Sequence, residues 1–171
     1  SKTVNTGLRN VVDSDPDAAL KDLAASILAE SSDPEFSAAA QYHALRSTDS
    51  AVVITAANAL ASNSQPEAKA ELLKALTNAE QSVREAVISS LIKRGNEKAL
   101  SSELNKDGTD NAIRIQIAKA LMNSKTKGMG HSASLFLAVG GQGEDAETAA
   151  RNLGKKGGSG SEKALGKALK H

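Results

Sequence analysis

Apolar residues recur along this chain at the three- and four-residue spacing of an amphipathic helix. In segment 82–91, Val83, Val87, Ile88 and Leu91 share one helical face. The same pattern recurs about 30 residues later and about 30 residues earlier, and each copy ends in a leucine. In the two earlier copies Leu20 and Val52 occupy the first position of the pattern. The leucines that end the five copies are Leu28, Leu60, Leu91, Leu121 and Leu153. This periodicity indicates an internal repeat of about 31 residues.

A second series of leucines lies between the members of the first. Its members are Leu45, Leu76, Leu104, Leu135 and Leu165. Each repeat therefore contains two short helices, and one such hairpin cannot bury its own apolar face unless neighbours stack on it. The pattern predicts an all-α fold, an α-solenoid (right-handed α-α superhelix) of stacked antiparallel helix hairpins.

Polar residues and prolines mark where the helices begin and end. Pro16, Pro34 and Pro66 stand at predicted helix starts, where proline loses no hydrogen bond, and Asp15 and Asp33 are expected to cap the free amides. Asp49, Glu80 and Asp110 precede later helices, and Gly95 and Gly108 follow helices. We predict helices at roughly 3–13, 16–31, 34–46, 50–62, 66–78, 82–94, 97–106, 110–124, 131–139, 144–155 and 161–170.

Composition narrows the classes of protein that this chain can belong to. Its 171 residues carry 21 Lys and Arg against 20 Asp and Glu, a net charge of +1, which argues against a bulk electrostatic nucleic-acid binder. The absence of cysteine excludes a disulfide framework and cysteine-based zinc sites. No apolar stretch is long enough to span a membrane. The chain begins at Ser1, which we interpret as a processed form or an excised domain, and the composition is compatible with either the bacterial cytoplasm or the periplasm.

The last part of the chain differs from the rest. Ten of the 13 glycines lie from Gly128 onward. We therefore predict a single repeat domain over 1–171 in which 128–171 is less regular and less stable. Residues 151–171 hold six basic residues and one acidic residue, so this end can contact an acidic surface or serve as the solvated end of the array.

Three groups of residues are candidates for binding or catalytic chemistry, but each also has a structural interpretation. Segment 13–17 resembles the start of a calcium loop, but the glycine and glutamate that such a loop needs are replaced by Ala18 and Ala24, which favours helix capping. The three histidines lie in different repeats, without zinc-ligand spacing. The glycine clusters at 128–130 and 140–143 lack the Lys-Ser/Thr of a phosphate loop and are interpreted as turns. We predict no catalytic residue, cofactor or metal.

One segment resembles a known repeat family. Residues 80–95, from Glu80 through Val83-Arg84 and Leu91 to Gly95, are similar to the second helix of a HEAT-like repeat of the phycobilisome-lyase type, and Asp110-Asn-Ala-Ile-Arg114 repeats the pattern. The resemblance covers about residues 15–155. It implies that Arg84 and Arg114 link adjacent repeats through acidic residues, with ligand contact as the alternative. It says little about function, because the family includes scaffolds, adaptors and a few enzymes.

These observations favour a non-catalytic scaffold or adaptor that binds another protein on the concave face of the solenoid. That face is expected to carry the residues two and six positions before each leucine of the first series. Our partner-binding candidates are Ile54, Asn58, Glu85, Ser89, Ile115, Lys119 and Arg151. The alternatives are a nucleic-acid-acting protein similar to HEAT-like DNA glycosylases, and a bilin lyase or related chaperone. The first would need aromatic residues to hold a base, and only Phe36, Tyr42 and Phe136 are present.

Overall fold

The computed structural model describes residues 2–126, 128–141 and 143–156. Within these ranges the chain forms ten α-helices and no strand, as the sequence predicts. The helices are α1 (Lys2–Ser14), α2 (Ala18–Ala29), α3 (Pro34–Ala44), α4 (Ser50–Leu60), α5 (Glu67–Ala75), α6 (Gln81–Lys93), α7 (Glu97–Leu104), α8 (Asn111–Leu121), α9 (Met129–Gly140) and α10 (Gly143–Lys156). The helix predicted at 161–170 lies outside the described residues.

The helices pair in chain order into five hairpins that form two compact units. The first unit, Ser1–Gly95, contains α1 to α6, and the second unit, Asn96–His171, contains α7 to α10. In the first unit α3 packs on both α1 and α5, while α4 packs on α6. In the second unit α8 packs on α7 and α9, and α9 packs on α10. We call α1, α3, α5, α7 and α9 the first-row helices, and α2, α4, α6, α8 and α10 the second-row helices. That the two units form one repeat domain stays a prediction.

The leucines of the first series form the centre of the core. Leu28, Leu60, Leu91, Leu121 and Leu153 are all fully or almost fully buried. In the second series Leu45, Leu76 and Leu104 are buried. Leu135 is only partly buried and Leu137 takes the core position instead, because it shares a helical face with the buried Gly130 and Ala133 of α9. Leu165 lies outside the described residues.

The prediction that the first apolar position of the repeat faces the core is wrong in two copies. Leu20 and Val52 are exposed, at 48% and 42% of their surface. In α4 the buried residue is Val53, which shares a face with Ala56, Ala57 and Leu60 at the three- and four-residue spacing of a helix. In α2 the buried face is narrower and consists of Ala24, Ala25 and Leu28.

Aspartates fix the starts of several helices. The carboxylates of Asp33, Asp49 and Asp110 accept hydrogen bonds from the first free amides of α3, α4 and α8. For α2 the cap is Asp17 rather than Asp15. Asp15 instead accepts a hydrogen bond from the amide of Asp17 at 2.8 Å and holds the turn that precedes the cap.

Proline and glycine positions also follow the helix ends. Pro34 is the first residue of α3 and Pro66 is the residue before α5, whereas Pro16 lies one residue before the cap of α2. Gly95 and Gly128 adopt left-handed backbone conformations, with φ of 72° and 83°. A side chain disfavours this region, so glycine is the residue that these two turns need.

Candidate functional site

The predicted partner-binding residues all lie on second-row helices. In the first unit Asn58 of α4 and both Glu85 and Ser89 of α6 are exposed, and α4 packs on α6. Ile54 is partly buried, because it lies on the flank of α4 opposite Val52, two residues away and therefore about 200° around the helix. The structure thus brings four of the seven candidates onto one adjacent pair of helices.

A groove opens in the first unit on the side of α4 that bears Val52, and none of the four candidates lines it. It has a volume of about 610 Å³ and is lined by α2, by the end of α3 with the loop that follows it, and by Val52 of α4. Small side chains such as Ser26, Ala40 and Ala44 form much of its surface. Across it, Nε2 of His43 lies 2.7 Å from Oδ1 of Asp22. The apolar wall and the polar pair together are typical of a surface that recognises a protein segment. The sequence analysis missed this groove, because nothing in the repeat pattern shows that α2 and α4 stand further apart than α4 and α6.

In the second unit the three remaining candidates lie on α8 and α10. Nζ of Lys119 is 3.0 Å from Oδ1 of Asp145 on α10, and Arg151 is paired with Glu147 one turn earlier at 3.2 Å. Ile115 is partly buried. Lys119 and Arg151 keep 51% and 73% of their side-chain surface exposed, so both ion pairs remain accessible to a partner.

Arg84 and Arg114 have a clear structural role. A guanidinium nitrogen of Arg84 donates to the carbonyl oxygens of Asn78 at 2.8 Å and Ala79 at 2.6 Å, just after α5. Nε of Arg114 donates to the carbonyl of Leu104, at the end of α7, at 2.8 Å. The guanidinium of Arg114 also lies 4.7 Å from the ring centre of Phe136 on α9, which links two hairpins. That Arg84 and Arg114 also link adjacent repeats through acidic residues stays a prediction.

Arg94 makes a backbone anchor that the sequence analysis did not identify. From the end of α6 it donates to the carbonyls of Leu60 at 2.8 Å, of Gln65 at 3.0 Å and of Asn63. These acceptors belong to the end of α4 and the loop that follows it. Arg94 therefore ties the third hairpin to the second. Its sequence context, Lys93-Arg94-Gly95, is that of an ordinary basic helix end, so no local signal distinguishes it.

Two titratable groups near the first-row helices have shifted pKa values. Burial raises the pKa of the Tyr42 phenol, and the negative charge of Glu67 adds to the effect. Burial would also raise the pKa of Glu71, but a hydrogen bond from Lys74 and the charge of Arg46 outweigh it, and the pKa of this carboxyl is lowered. Glu71 lies 2.7 Å from Lys74 and 3.1 Å from Arg46. Neither group lies on the second-row surface.

The other sequence candidates occupy structural positions. The acidic segment 13–17 holds the turn and cap of α2. His43 belongs to the groove. Gly128 before α9 and Gly143 at the start of α10 have positive φ, as turn residues do. Gly130 and Gly140 lie within α9, so the turn interpretation is wrong for these two residues. Among the described residues no group of three or more His, Cys, Asp or Glu side chains is placed to hold a metal ion. No helix in the described part of the chain is long and apolar enough to cross a membrane.

The fold and the candidate site together define the structural class of this protein. Helical hairpins that pack in chain order, with a leucine of each repeat in the core and polar side chains on the second row, are those of a helical-repeat protein of the α-solenoid type. The family model described as HEAT repeats matches residues 5–92 and 42–122, and the chain belongs to the HEAT-repeat family. No relative was found among the curated proteins. The right-handed sense of the superhelix stays a prediction.

Proposed function

We propose that this chain is a non-catalytic scaffold or adaptor that binds another protein along its second-row helices. HEAT repeats commonly serve protein–protein interaction, and helical repeats present extended surfaces because each hairpin adds a similar element to the one before it. The partner-binding residues remain those predicted from the sequence, Ile54, Asn58, Glu85, Ser89, Ile115, Lys119 and Arg151.

The groove of the first unit is the observation that carries this proposal. It is large enough to take several side chains of a partner, and Val52 gives it an apolar wall at the start of α4. Asp22 and His43 place a polar pair at the same surface. Asn58, Glu85 and Ser89 add exposed polar groups on the second-row helices α4 and α6. A central apolar contact with a polar surround is the usual arrangement of a protein interface.

The positions of the aromatic residues weigh against the nucleic-acid alternative. Phe36 is buried, the Tyr42 hydroxyl is buried, and Arg114 lies over the ring of Phe136. A protein that holds exposed bases needs accessible rings for stacking. None of these three rings is arranged as such a platform. No local feature of the described residues supports the lyase alternative.

The test is capture of a partner from the source organism, its purification, and measurement of its affinity for matched variants. Ser89→Arg on α6 and Asn58→Arg on α4 place a long charged side chain on the second-row surface. Each should weaken binding about tenfold or more if the partner covers that surface. Both positions are exposed, so the melting temperature should stay close to that of the parent chain.

Ser102→Arg is the matched control, because Ser102 is an exposed serine on the first-row helix α7. Its affinity should equal that of the parent chain. Loss of binding in Ser102→Arg with full binding in the two second-row variants would place the interface on the first-row helices and contradict the proposal.

A further inference from the structure

The turn between α7 and α8 contains the one Asp-Gly sequence of the chain, Asp107-Gly108. Both residues are exposed. The amide of Thr109 donates to the carbonyl oxygen of Lys106 at 3.4 Å and closes a turn around them. Gly108 has a φ of 87°, close to the value that a type II turn requires at its third residue. Asp107 therefore lies at the tip of an exposed turn that a long hydrogen bond closes.

The side chain of Asp107 differs from those of the other aspartates in the chain. Of nine aspartates, eight hold a helix end or a turn, or pair with a basic residue. These eight are Asp13, Asp15, Asp17, Asp22, Asp33, Asp49, Asp110 and Asp145. The carboxylate of Asp107 makes no hydrogen bond or ion pair with any residue that the structure describes. It is therefore free to take part in a reaction.

An aspartate with a free carboxyl group can react with the backbone nitrogen of the next residue. The nitrogen forms a bond to Cγ, and the hydroxyl of the carboxyl group leaves with the amide hydrogen as water, which gives a cyclic succinimide. Water then opens the ring at one of its two carbonyl carbons. Opening at Cγ restores aspartate. Opening at the former backbone carbonyl gives isoaspartate, whose main chain runs through Cβ and Cγ. One water is released and one is consumed, so no further reactant is needed.

Gly108 makes this attack easier than any other residue would. A side chain on the attacking residue crowds its nitrogen, and glycine has none. A Cβ at Gly108 would meet no atom within 4 Å, so the space around the residue is open. The amide of Gly108 donates no hydrogen bond to a residue in the described part of the chain. The peptide must rotate to bring this nitrogen to Cγ of Asp107, and the long bond that closes the turn opposes the rotation only weakly.

Other sites for the same reaction are less favourable. Each of the other aspartates is followed by proline or by a residue with a side chain, and no asparagine is followed by glycine. The chain has two Asn-Ser sequences, which are the next most reactive kind. In the first, Asn63 uses both polar atoms of its side chain in hydrogen bonds. In the second, the amide of Ser124 would attack Asn123, but it donates to the carbonyl of Leu121 at 2.9 Å.

We propose that Asp107-Gly108 is a modification site, at which Asp107 converts spontaneously to isoaspartate through a succinimide. The product adds one carbon atom to the main chain between α7 and α8, shortly before Asp110, which caps α8 and accepts from the amide of Ala112 at 2.7 Å. Such a residue is the substrate of carboxyl methyltransferases that recognise isoaspartate and use S-adenosylmethionine. This proposal is independent of the partner surface argued above.

The first test follows the purified full chain during incubation at physiological temperature and pH. Isoaspartate is counted by the methyl groups that an isoaspartyl-specific methyltransferase transfers from S-adenosylmethionine, and its position is found by proteolysis and fragmentation mass spectrometry. Isoaspartate should accumulate at residue 107 at least about tenfold faster than at any other aspartate or asparagine. The succinimide should appear there as a species lighter by one water.

The second test uses variants of Asp107. Asp107→Glu keeps the charge and the glycine but would have to close a larger ring, so it should form no isoaspartate at this position. Asp107→Asn should react faster than the parent chain, because ammonia leaves instead of water. Asp13→Glu is the matched control, since Asp13 is exposed and followed by serine, and its isoaspartate content should equal that of the parent chain. Circular dichroism of each variant checks that the fold is retained.

Isoaspartate that is spread evenly over the aspartates and asparagines of the chain overturns the proposal. So does an Asp107→Glu variant that keeps the isoaspartate content of the parent chain. A peptide of residues 105–111 separates sequence from structure. If the peptide forms isoaspartate while the folded chain does not, the turn protects Asp107 and the proposal is wrong.

Discussion

At the residue scale, arginines that bond to backbone carbonyls hold the helix ends together. Arg114 reaches the end of α7, and Arg84 reaches the loop after α5, each within its own hairpin. Arg94 reaches the end of α4 and the loop after it in the neighbouring hairpin. The last carbonyls of a helix have no hydrogen-bond partner within the helix. A cationic side chain that donates to them takes the place of water and interacts favourably with the negative end of the helix dipole. Because these bonds are partly buried, they are worth more than an exposed ion pair.

Arg94→Ala should lower the free energy of unfolding by about 3 kcal/mol, because it removes charged hydrogen bonds to three carbonyls as well as the packing of the side chain. Chemical denaturation measures this loss. Arg151→Ala is the control, since Arg151 is 73% exposed in an ion pair one turn apart and its removal should cost less than about 0.5 kcal/mol. Equal effects of the two variants would contradict the anchoring role of Arg94.

Tyr42 should make stability fall at alkaline pH. Burial raises the pKa of its phenol, and its hydroxyl has no hydrogen-bond partner among the described residues. As pH rises above about 10, the unfolded chain loses this proton before the folded chain does, so the folded state becomes less favourable. Tyr42→Phe should remove this part of the alkaline loss.

Tyr42 is the only tyrosine and there is no tryptophan, so ultraviolet absorbance reports its ionisation directly. The midpoint should lie higher in the native chain than in the chain unfolded by denaturant. Coincident midpoints would show that the phenol is not shielded from water.

At the element scale, the helices are defined by caps that recur with the repeat. Two residues before several of the caps a side-chain oxygen holds the turn: Oγ of Ser31 accepts from the amide of Asp33, and Oγ of Ser47 accepts from the amide of Asp49. These local bonds fix where α3 and α4 begin. Short helices of 11 residues depend on such ends, because a short helix has little stability of its own.

The caps of α4 and α6 should differ in their contribution to stability. Asp49 accepts a hydrogen bond from the amide of Ala51 at 2.8 Å, whereas Glu80, at the equivalent position before α6, makes no side-chain cap bond. Asp49→Ala should therefore cost about 1 kcal/mol. Glu80→Ala should cost a few tenths, since only the favourable charge at the helix start is lost. Thermal denaturation of the pair measures the difference, and a larger effect at Glu80 would refute this assignment.

At the scale of the whole molecule, stability depends on the leucines that repeat through both units. Leu28, Leu60 and Leu91 are buried in the first unit, and Leu121 and Leu153 in the second. Each joins the two helices of its hairpin to the core, and the hairpins differ mainly in what surrounds these leucines. The glycine content of the chain from residue 128 onward is the clearest such difference.

Leu60→Ala and Leu91→Ala should each lower the free energy of unfolding by about 2–5 kcal/mol. We expect Leu153→Ala to cost less, because its repeat is rich in glycine and can relax around the cavity. Leu153 is as fully buried as the other two, so burial alone would give equal losses. Denaturant titration of the three variants shows whether the loss at Leu153 is smaller than the other two or equal to them. Equal losses would show that the glycines do not loosen the last hairpin.

The sequence by itself determined the class of fold and the repeat. Leucine spacing and helix-end residues are local signals, and they placed all ten described helices within a few residues of where they lie. It also determined which row of helices carries the candidate residues, since helical periodicity fixes which side chains point away from a buried leucine.

The tertiary structure decided everything that depends on how neighbouring hairpins meet. The exposure of Leu20 and Val52, the replacement of Leu135 by Leu137 and the groove between α2 and α4 all follow from helix positions that a repeat pattern does not specify. The hydrogen bonds of Arg94 also depend on how neighbouring hairpins meet, because their acceptors are backbone carbonyls 29 to 34 residues away. Every residue has a backbone carbonyl, so the sequence does not indicate which carbonyl accepts a hydrogen bond from a given side chain. Only the folded structure shows this.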